Sequence, residues 1–116
     1  MPDIDTIHLA EMLRSAQLIR TFVRSVQRDS LQYDLMRRVS VFARIIGMSF
    51  SAKRISRRFR SGHPGIPWDP IIQLGDDLIR KPETVDFDQV WRFAKILVPE
   101  LILKAAVLVP RSVREQ

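Results

Sequence analysis

Two pairs of closely spaced carboxylates are the first residues of this sequence that could perform acid–base chemistry. Asp76 and Asp77 are adjacent, and Asp86 and Asp88 stand two positions apart. Paired carboxylates can hold and move a proton when their environments separate their pKa values. Pairs of this kind more often serve as solvated groups on a helix or as helix caps. We therefore interpret both pairs, and the isolated His8, as structural.

Other reactive constellations are missing from the sequence. The absence of cysteine excludes disulfides and thiol chemistry and fits a reducing compartment, so we predict a cytoplasmic protein. Two histidines without cysteine do not supply the ligands of a structural zinc site. No glycine-rich phosphate loop or nucleophile-elbow serine is present either. We expect neither a metal nor a cofactor.

A run of basic residues is the more suggestive feature, because the net charge of +6 and the pI of about 10.7 favour acidic partners. Nucleic acid is one such partner, since a basic strip neutralises phosphates. Single strands usually also require exposed aromatic rings, and Phe42, Phe50 and Phe59 fall at core-like positions. A solvated basic face and a nucleic-acid surface both stay open. The surface would be centred on Lys53, Arg54, Arg57, Arg58 and Arg60, with Arg37, Arg38 and Arg44 preceding them.

The elements that carry these residues are predicted to be helices throughout. Apolar residues recur at three- and four-residue steps over about residues 4–28 and again over 31–55, where Leu35 and Val39 belong to the apolar series. Ser56 can cap a short helix, and the prolines and glycines of SGHPGIP predict a loop after it. The pattern predicts an all-α, up-and-down bundle of four to five helices forming one domain over residues 1–116.

Two further helices complete this bundle. Asp69 is predicted as the N-cap of a helix that ends near Arg80, and Asp86 as the start of the last one. Pro99 predicts a kink or break in that last helix. We expect both tryptophans, Trp68 and Trp91, to be buried. The most apolar segment, FAKILVPELILKAAVLV, contains three charged residues and a proline, so we interpret it as a core helix and expect no membrane span.

The segment HPGIPWDPIIQLGDDLIRKPETVDFDQVWRFAKILVPEL resembles the HepT-like kind of HEPN-domain proteins. These are small helical proteins encoded beside a minimal nucleotidyltransferase in bacterial toxin–antitoxin modules. The similar elements agree in order and spacing over about residues 22–108. They are Ile45-Ile46-Gly47, His63-Pro64-Gly65-Ile66-Pro67-Trp68, Val85-Asp86, Val90-Trp91 and Pro99-Glu100-Leu101.

This resemblance implies a homodimeric, metal-independent endoribonuclease whose R-x4-6-H motifs meet in the cleft between protomers. The motif arginine would offset charge on the scissile phosphate, and the histidine would move protons. A tyrosine two residues after the histidine is the position where the nucleotidyltransferase antitoxin attaches nucleotides. These residues are replaced here: the arginine by Gly75, the asparagine after it by Asp76, the histidine by Arg80, the tyrosine by Pro82, and a glutamate of the second helix by Met48.

We therefore expect a protein that has lost ribonuclease activity and acts as a dimeric binding or regulatory component. A second copy, a minimal nucleotidyltransferase and RNA are its expected partners. One alternative is a ribonuclease with relocated residues, because Arg58 and His63 also read R-x4-H. That match ends in a proline- and glycine-rich loop and lacks the tyrosine, so we interpret His63 as a loop residue near Trp68. The other alternative is a basic, RNA-binding helical module.

Overall fold

The protein is built from helices, and the computed structural model describes residues 3–114 of it. The first two and last two residues of the predicted domain 1–116 therefore lie outside the described residues, which contain no β-strand. The helices are α1 Ile4–Val23, α2 Arg28–Tyr33, α3 Leu35–Arg54, α4 Arg57–Gly62, α5 Trp68–Arg80, α6 Phe87–Arg92, α7 Val98–Ala106 and α8 Arg111–Arg114. A 3-10 turn spans Pro82–Thr84, and a π-helical turn spans Phe93–Leu97.

Four long segments form the bundle, which confirms the predicted all-α fold. They are α1, α3, α5 and a continuous stretch of α6, the π-helical turn and α7. Helix α1 packs against α3 and α7, while the other side of α3 packs against α5. The buried residues form one apolar cluster, and this cluster holds the helices together through the hydrophobic effect. Its fully covered members include Leu9, Ile19, Ile45, Met48, Ile71, Val90 and Leu101.

Side-chain caps begin several of these helices, as the sequence predicted at two positions. The Ser56 Oγ accepts a hydrogen bond from the Phe59 N–H at 3.1 Å, and the Asp86 Oδ1 accepts one from the Asp88 N–H at 3.0 Å. Asp5 joins α1 to the start of α4, because its carboxylate accepts bonds from both the N–H and the hydroxyl of Ser56, each at 2.7 Å. These bonds lower the pKa of Asp5 by favouring its charged form.

Two predicted helices have different boundaries in the structure. The first ends at Val23 instead of near residue 28, and the second is divided into α2 and α3. Asp34 causes this division: its backbone is extended, and its side chain caps α3 by accepting from the Arg37 N–H at 3.2 Å. The predicted inner positions Leu35 and Val39 are exposed, because they lie outside the buried face of α3 that Val41, Ile45 and Met48 define.

The predicted cap at Asp69 is wrong. Helix α5 begins two residues earlier, with Pro67 at the N-cap position and Trp68 as its first residue, so Asp69 lies in the first turn. The indole of Trp68 fixes this start, because its Nε1–H donates to the His63 carbonyl at 3.0 Å. Trp68 is buried, as predicted.

The expectation that Trp91 is buried is also wrong, because this side chain is only half-buried. The Lys95 ammonium lies 5.1 Å from the centre of its ring and donates to the Val23 carbonyl at 2.9 Å. Lys95 therefore lies over the ring of a side chain that is only partly buried against the core.

The break predicted at Pro99 is present as the π-helical turn over Phe93–Leu97. A proline has no N–H to donate to the preceding turn, and α7 resumes with Pro99 in its first positions. None of the described helices is both long and apolar enough to cross a membrane.

Candidate functional site

Gly75, predicted from the resemblance to replace the motif arginine, lies in a close contact between α3 and α5. It is buried, and a Cβ atom added to it would stand 2.2 Å from the Oγ and 2.3 Å from the Cβ of Ser49. Atoms this close overlap severely, and Ser49 Cβ is fixed to the α3 backbone. Any side chain begins with a Cβ, so in this packing the position accepts glycine and excludes arginine.

The neighbouring acidic residues are engaged within the structure. The Asp76 carboxylate forms an ion pair with the Lys53 ammonium, linking α5 to the last turn of α3. The Asp77 Oδ1 accepts from the Gln73 Nε2 at 3.0 Å on the same helix. The two carboxylates therefore have different partners and do not share a proton site.

The remaining motif positions do not assemble around Gly75. Arg80 is exposed in the last turn of α5, and Pro82 is exposed in the following 3-10 turn. Met48 is completely buried in the core on α3. Within one chain, the positions predicted to replace the motif's reactive groups are thus a buried glycine, an exposed cation and a core methionine.

His63, the histidine of the alternative R-x4-H match, packs within the α4–α5 connection. Its ring stacks on Phe59 with 4.2 Å between ring centres, and its Nδ1–H donates to the Phe59 carbonyl at 2.9 Å. Its own carbonyl accepts the Trp68 indole bond, and Phe59 meets the Trp68 ring edge-on at 6.3 Å. This geometry agrees with a structural loop residue. Arg58 is exposed, and among the described side chains no hydrogen bond joins it to His63.

The cations of the predicted basic surface differ in whether they have an ion-pair partner. Within the part of the chain that the structure describes, Arg54, Arg57 and Arg58 are exposed and have no ion-pair partner. Lys53 is paired with Asp76. Arg60 is half-buried, and its Nε has no hydrogen-bond partner in the described structure.

Phe50 is a residue that the sequence analysis misplaced. It was assigned to a core-like position, but it is 45% exposed, with the Lys53 ammonium 5.7 Å from its ring centre. The helical period indicates this exposure, because the buried side chains Ile45, Met48 and Ala52 define a face of α3 that does not include Phe50. An exposed aromatic ring beside a cation is the element that the basic surface was expected to lack.

Comparison with known families decides the relationship. The family model described as "Ribonuclease HepT-like" matches residues 12–108, which include all the motif positions discussed above. The chain belongs to the HepT-like family.

Curated relatives of this HepT-like chain carry ribonuclease names. A probable ribonuclease HepT of Thermococcus cleftensis is 26% identical over 94 residues, covering 81% of this chain and 86% of that protein. A candidate ribonuclease of Methanocaldococcus jannaschii is 25% identical over 93 residues, covering 80% and 85%.

A third relative is a longer protein. It is named a gamma-glutamylcyclotransferase and candidate ribonuclease of Methanocaldococcus jannaschii and is 28% identical over 95 residues. The HepT-like chain spans only 43% of that protein's length. No solved structure matches the chain.

The described residues of this HepT-like chain contain no group of three side chains arranged to hold a metal ion. They do contain exposed apolar side chains. Ile4 and Ile7 lie on α1, Ile96 on the π-helical turn, and Leu103 and Val107 at α7 and its end. Leu103 and Val107 stand four residues apart, a spacing that places two side chains on one side of a helix, and contiguous apolar side chains on a surface mark sites where another molecule packs.

Proposed function

We propose that this HepT-like chain lacks ribonuclease activity and serves as a dimeric binding or regulatory component. The observation that carries the proposal is the closed packing at Gly75, where Ser49 occupies the space that a motif arginine requires. A second copy or a minimal nucleotidyltransferase is the partner that this family membership favours. The role would be binding, because the shape of the helical scaffold is retained while its reactive groups are replaced.

The chemistry of the remaining residues supports the loss of activity. Cleavage of RNA without a metal requires a cation for the scissile phosphate and a group that exchanges protons near neutral pH. Asp76 would repel the phosphate, and its pairing with Lys53 offsets a nearby positive charge. An arginine side chain at the predicted histidine position, Arg80, does not replace a histidine as a base, because a guanidinium does not exchange protons near neutral pH. Loss of a single such group commonly lowers a rate by about a hundredfold or more.

The purified protein is expected to leave total RNA intact in a buffer containing a metal chelator. The wild type is compared with Arg58→Ala and with His63→Gln, which keeps a side-chain donor for the Phe59 carbonyl. Cleavage that coelutes with the protein and is lost in both variants would establish the relocated site. Cleavage that coelutes and survives both changes would place an active site elsewhere in the chain. Either result contradicts the proposal.

The protein is expected to be a homodimer that uses its exposed α1 and α7 side chains. Leu103 is 76% exposed and Val107 83% exposed, four residues apart on the same side of the last helix. Light scattering at micromolar concentration should give about twice the 13.5 kDa chain mass. Leu103→Glu should give the mass of one chain, because it places a charge in the contact. Met36→Glu, on the distant start of α3, is the matched control and should leave the dimer intact. A wild-type monomer contradicts the prediction.

Nucleic-acid binding is a second candidate function, favoured by the three unpaired arginines and by exposed Phe50. Affinity for single-stranded RNA should fall steeply with added salt, since each neutralised phosphate releases counterions. Arg54→Ala should reduce this salt dependence, and Phe50→Ala should weaken binding at every salt concentration by removing a stacking surface. An affinity that does not change with salt would exclude the basic surface and leave protein partners as the function.

A further inference from the structure

A pocket of about 500 Å³ opens between α4 and the start of α5, away from the family's motif positions. Its lining includes the polar residues Arg57, Arg60 and Ser61 and the apolar residues Ile66 and Trp68, together with three prolines. A lining that combines two cations and a hydroxyl with apolar side chains suits a ligand that has both a charged and an apolar part.

The charge inside this pocket is not balanced by the protein. Arg57 has no ion-pair partner among the described residues, and Arg60 is half-buried with its Nε unbonded. A partly desolvated guanidinium without an acceptor is unfavourable, whereas a bound oxyanion supplies acceptors in the planar geometry that arginine prefers. Asp69 is the one carboxylate in the lining, and it pairs with neither arginine.

The amino end of α5 adds to the positive potential of the same pocket. This helix of 13 residues begins in the lining, and no side chain caps it. The first N–H groups of a helix carry a partial positive charge and favour an anion. Asp69 meets part of this preference but lies in the first turn instead of at the cap.

The pocket is fixed before any ligand arrives. The Trp68 indole N–H donates to the His63 carbonyl, and the His63 ring N–H donates to the Phe59 carbonyl. The Lys104 ammonium donates to the Gly65 carbonyl at 2.8 Å. These bonds fix the connection between α4 and α5 from both sides. A preformed site binds without a large ordering cost.

We infer that this pocket binds a phosphate monoester of a nucleoside, with the phosphate against Arg57, Arg60 and Ser61 and the flat base against the apolar residues near Trp68. A mononucleotide and the phosphorylated end of an RNA strand share this chemistry. The inference is independent of the loss of ribonuclease activity, because it concerns binding at a different place on the chain.

Emission from Trp68 reports on the pocket directly. In a Trp91→Phe background, which leaves Trp68 as the only indole, adenosine monophosphate should change the emission in a saturable manner. Adenosine and inorganic phosphate should each bind at least about tenfold more weakly, because each lacks one half of the contact. Two short RNAs of one sequence, with a 5′-phosphate or a 5′-hydroxyl, distinguish the sources. Tighter binding of the phosphorylated RNA than of the mononucleotide identifies a strand end, and equal binding identifies a free nucleotide.

Variants separate the pocket from general attraction by positive charge. Arg57→Ala and Arg60→Ala should each weaken mononucleotide binding roughly tenfold, while Arg20→Ala on α1 makes the same charge change and should have no effect. Asp69→Asn should tighten binding, an outcome that misfolding does not produce. Three results would overturn the inference: no response to any phosphate-bearing probe, equal affinity for adenosine and its monophosphate, or a loss with exposed Arg58→Ala as large as that with Arg60→Ala.

Discussion

Trp68→Ala is expected to lower the free energy of unfolding by about 3–5 kcal/mol, the range for emptying a large aromatic core site. The side chain is only 6% exposed, and its ring belongs to the central apolar cluster. The substitution also removes the N–H that holds the His63 carbonyl and the ring edge that contacts Phe59. The start of α5 and the loop before it would lose their common anchor.

Urea denaturation followed by far-ultraviolet circular dichroism measures this loss. Trp68→Phe separates the two contributions, because it keeps an aromatic ring and removes the donor, and it should cost less than the alanine change. Trp91→Ala is the matched control, since Trp91 is half-buried and has the Lys95 ammonium over its ring. A loss under about 1 kcal/mol for Trp68→Ala, far below the core range, would mean that the indole does not support the core.

Much of this fold could be predicted from local sequence. Apolar residues recur along a helix with its period, and particular residue types cap its start. The apolar periodicity therefore predicts the helices, and the caps at Ser56 and Asp86 predict two of their boundaries. The break at Pro99 follows from the missing backbone donor and appears as the π-helical turn.

The width of each buried face could not be predicted in the same way. Periodicity shows which side of a helix is apolar, but the number of neighbours that cover it is a property of the assembled bundle. Val39 and Phe50 were both assigned to the interior and are both exposed, because α5 and α1 cover only part of the α3 surface. Trp91 is less buried than predicted for the same reason, and the Lys95 side chain lies over its ring.

The candidate site shows a similar division. The family resemblance predicts that Gly75 replaces a motif residue, but it gives no physical reason for glycine there. The reason is the close approach of α3 and α5. Ser49, which lies on α3 and 26 residues before Gly75, occupies the space that a Cβ at position 75 would need. The pocket between α4 and α5 was also missed, since its two arginines were considered as part of a linear basic run.

Gly75→Ala is expected to destabilise the protein by about 2 kcal/mol, although alanine is the better helix former. Overpacking a well-packed interior costs about 1–3 kcal/mol, and the higher helix propensity of alanine returns at most about 1 kcal/mol. The packing cost should lie at the upper end, because the new Cβ would overlap both the Oγ and the Cβ of Ser49. A change of the Ser49 rotamer moves only the Oγ, so α3 and α5 must separate.

Denaturation of Ser49 double variants tests whether this overlap is the cause. Ser49→Ala should give little rescue of Gly75→Ala, because the Cβ at 2.3 Å remains. Ser49→Gly should rescue it and make the alanine neutral or favourable by up to about 1 kcal/mol, its intrinsic helix preference. If Gly75→Ala lowered the free energy of unfolding equally in the wild type, in Ser49→Ala and in Ser49→Gly, the two helices would not be in contact at Gly75. Gly75→Arg, which introduces the arginine that the resemblance predicts for this position, should be less stable still and should not cleave RNA, because the arginine begins with the same excluded Cβ.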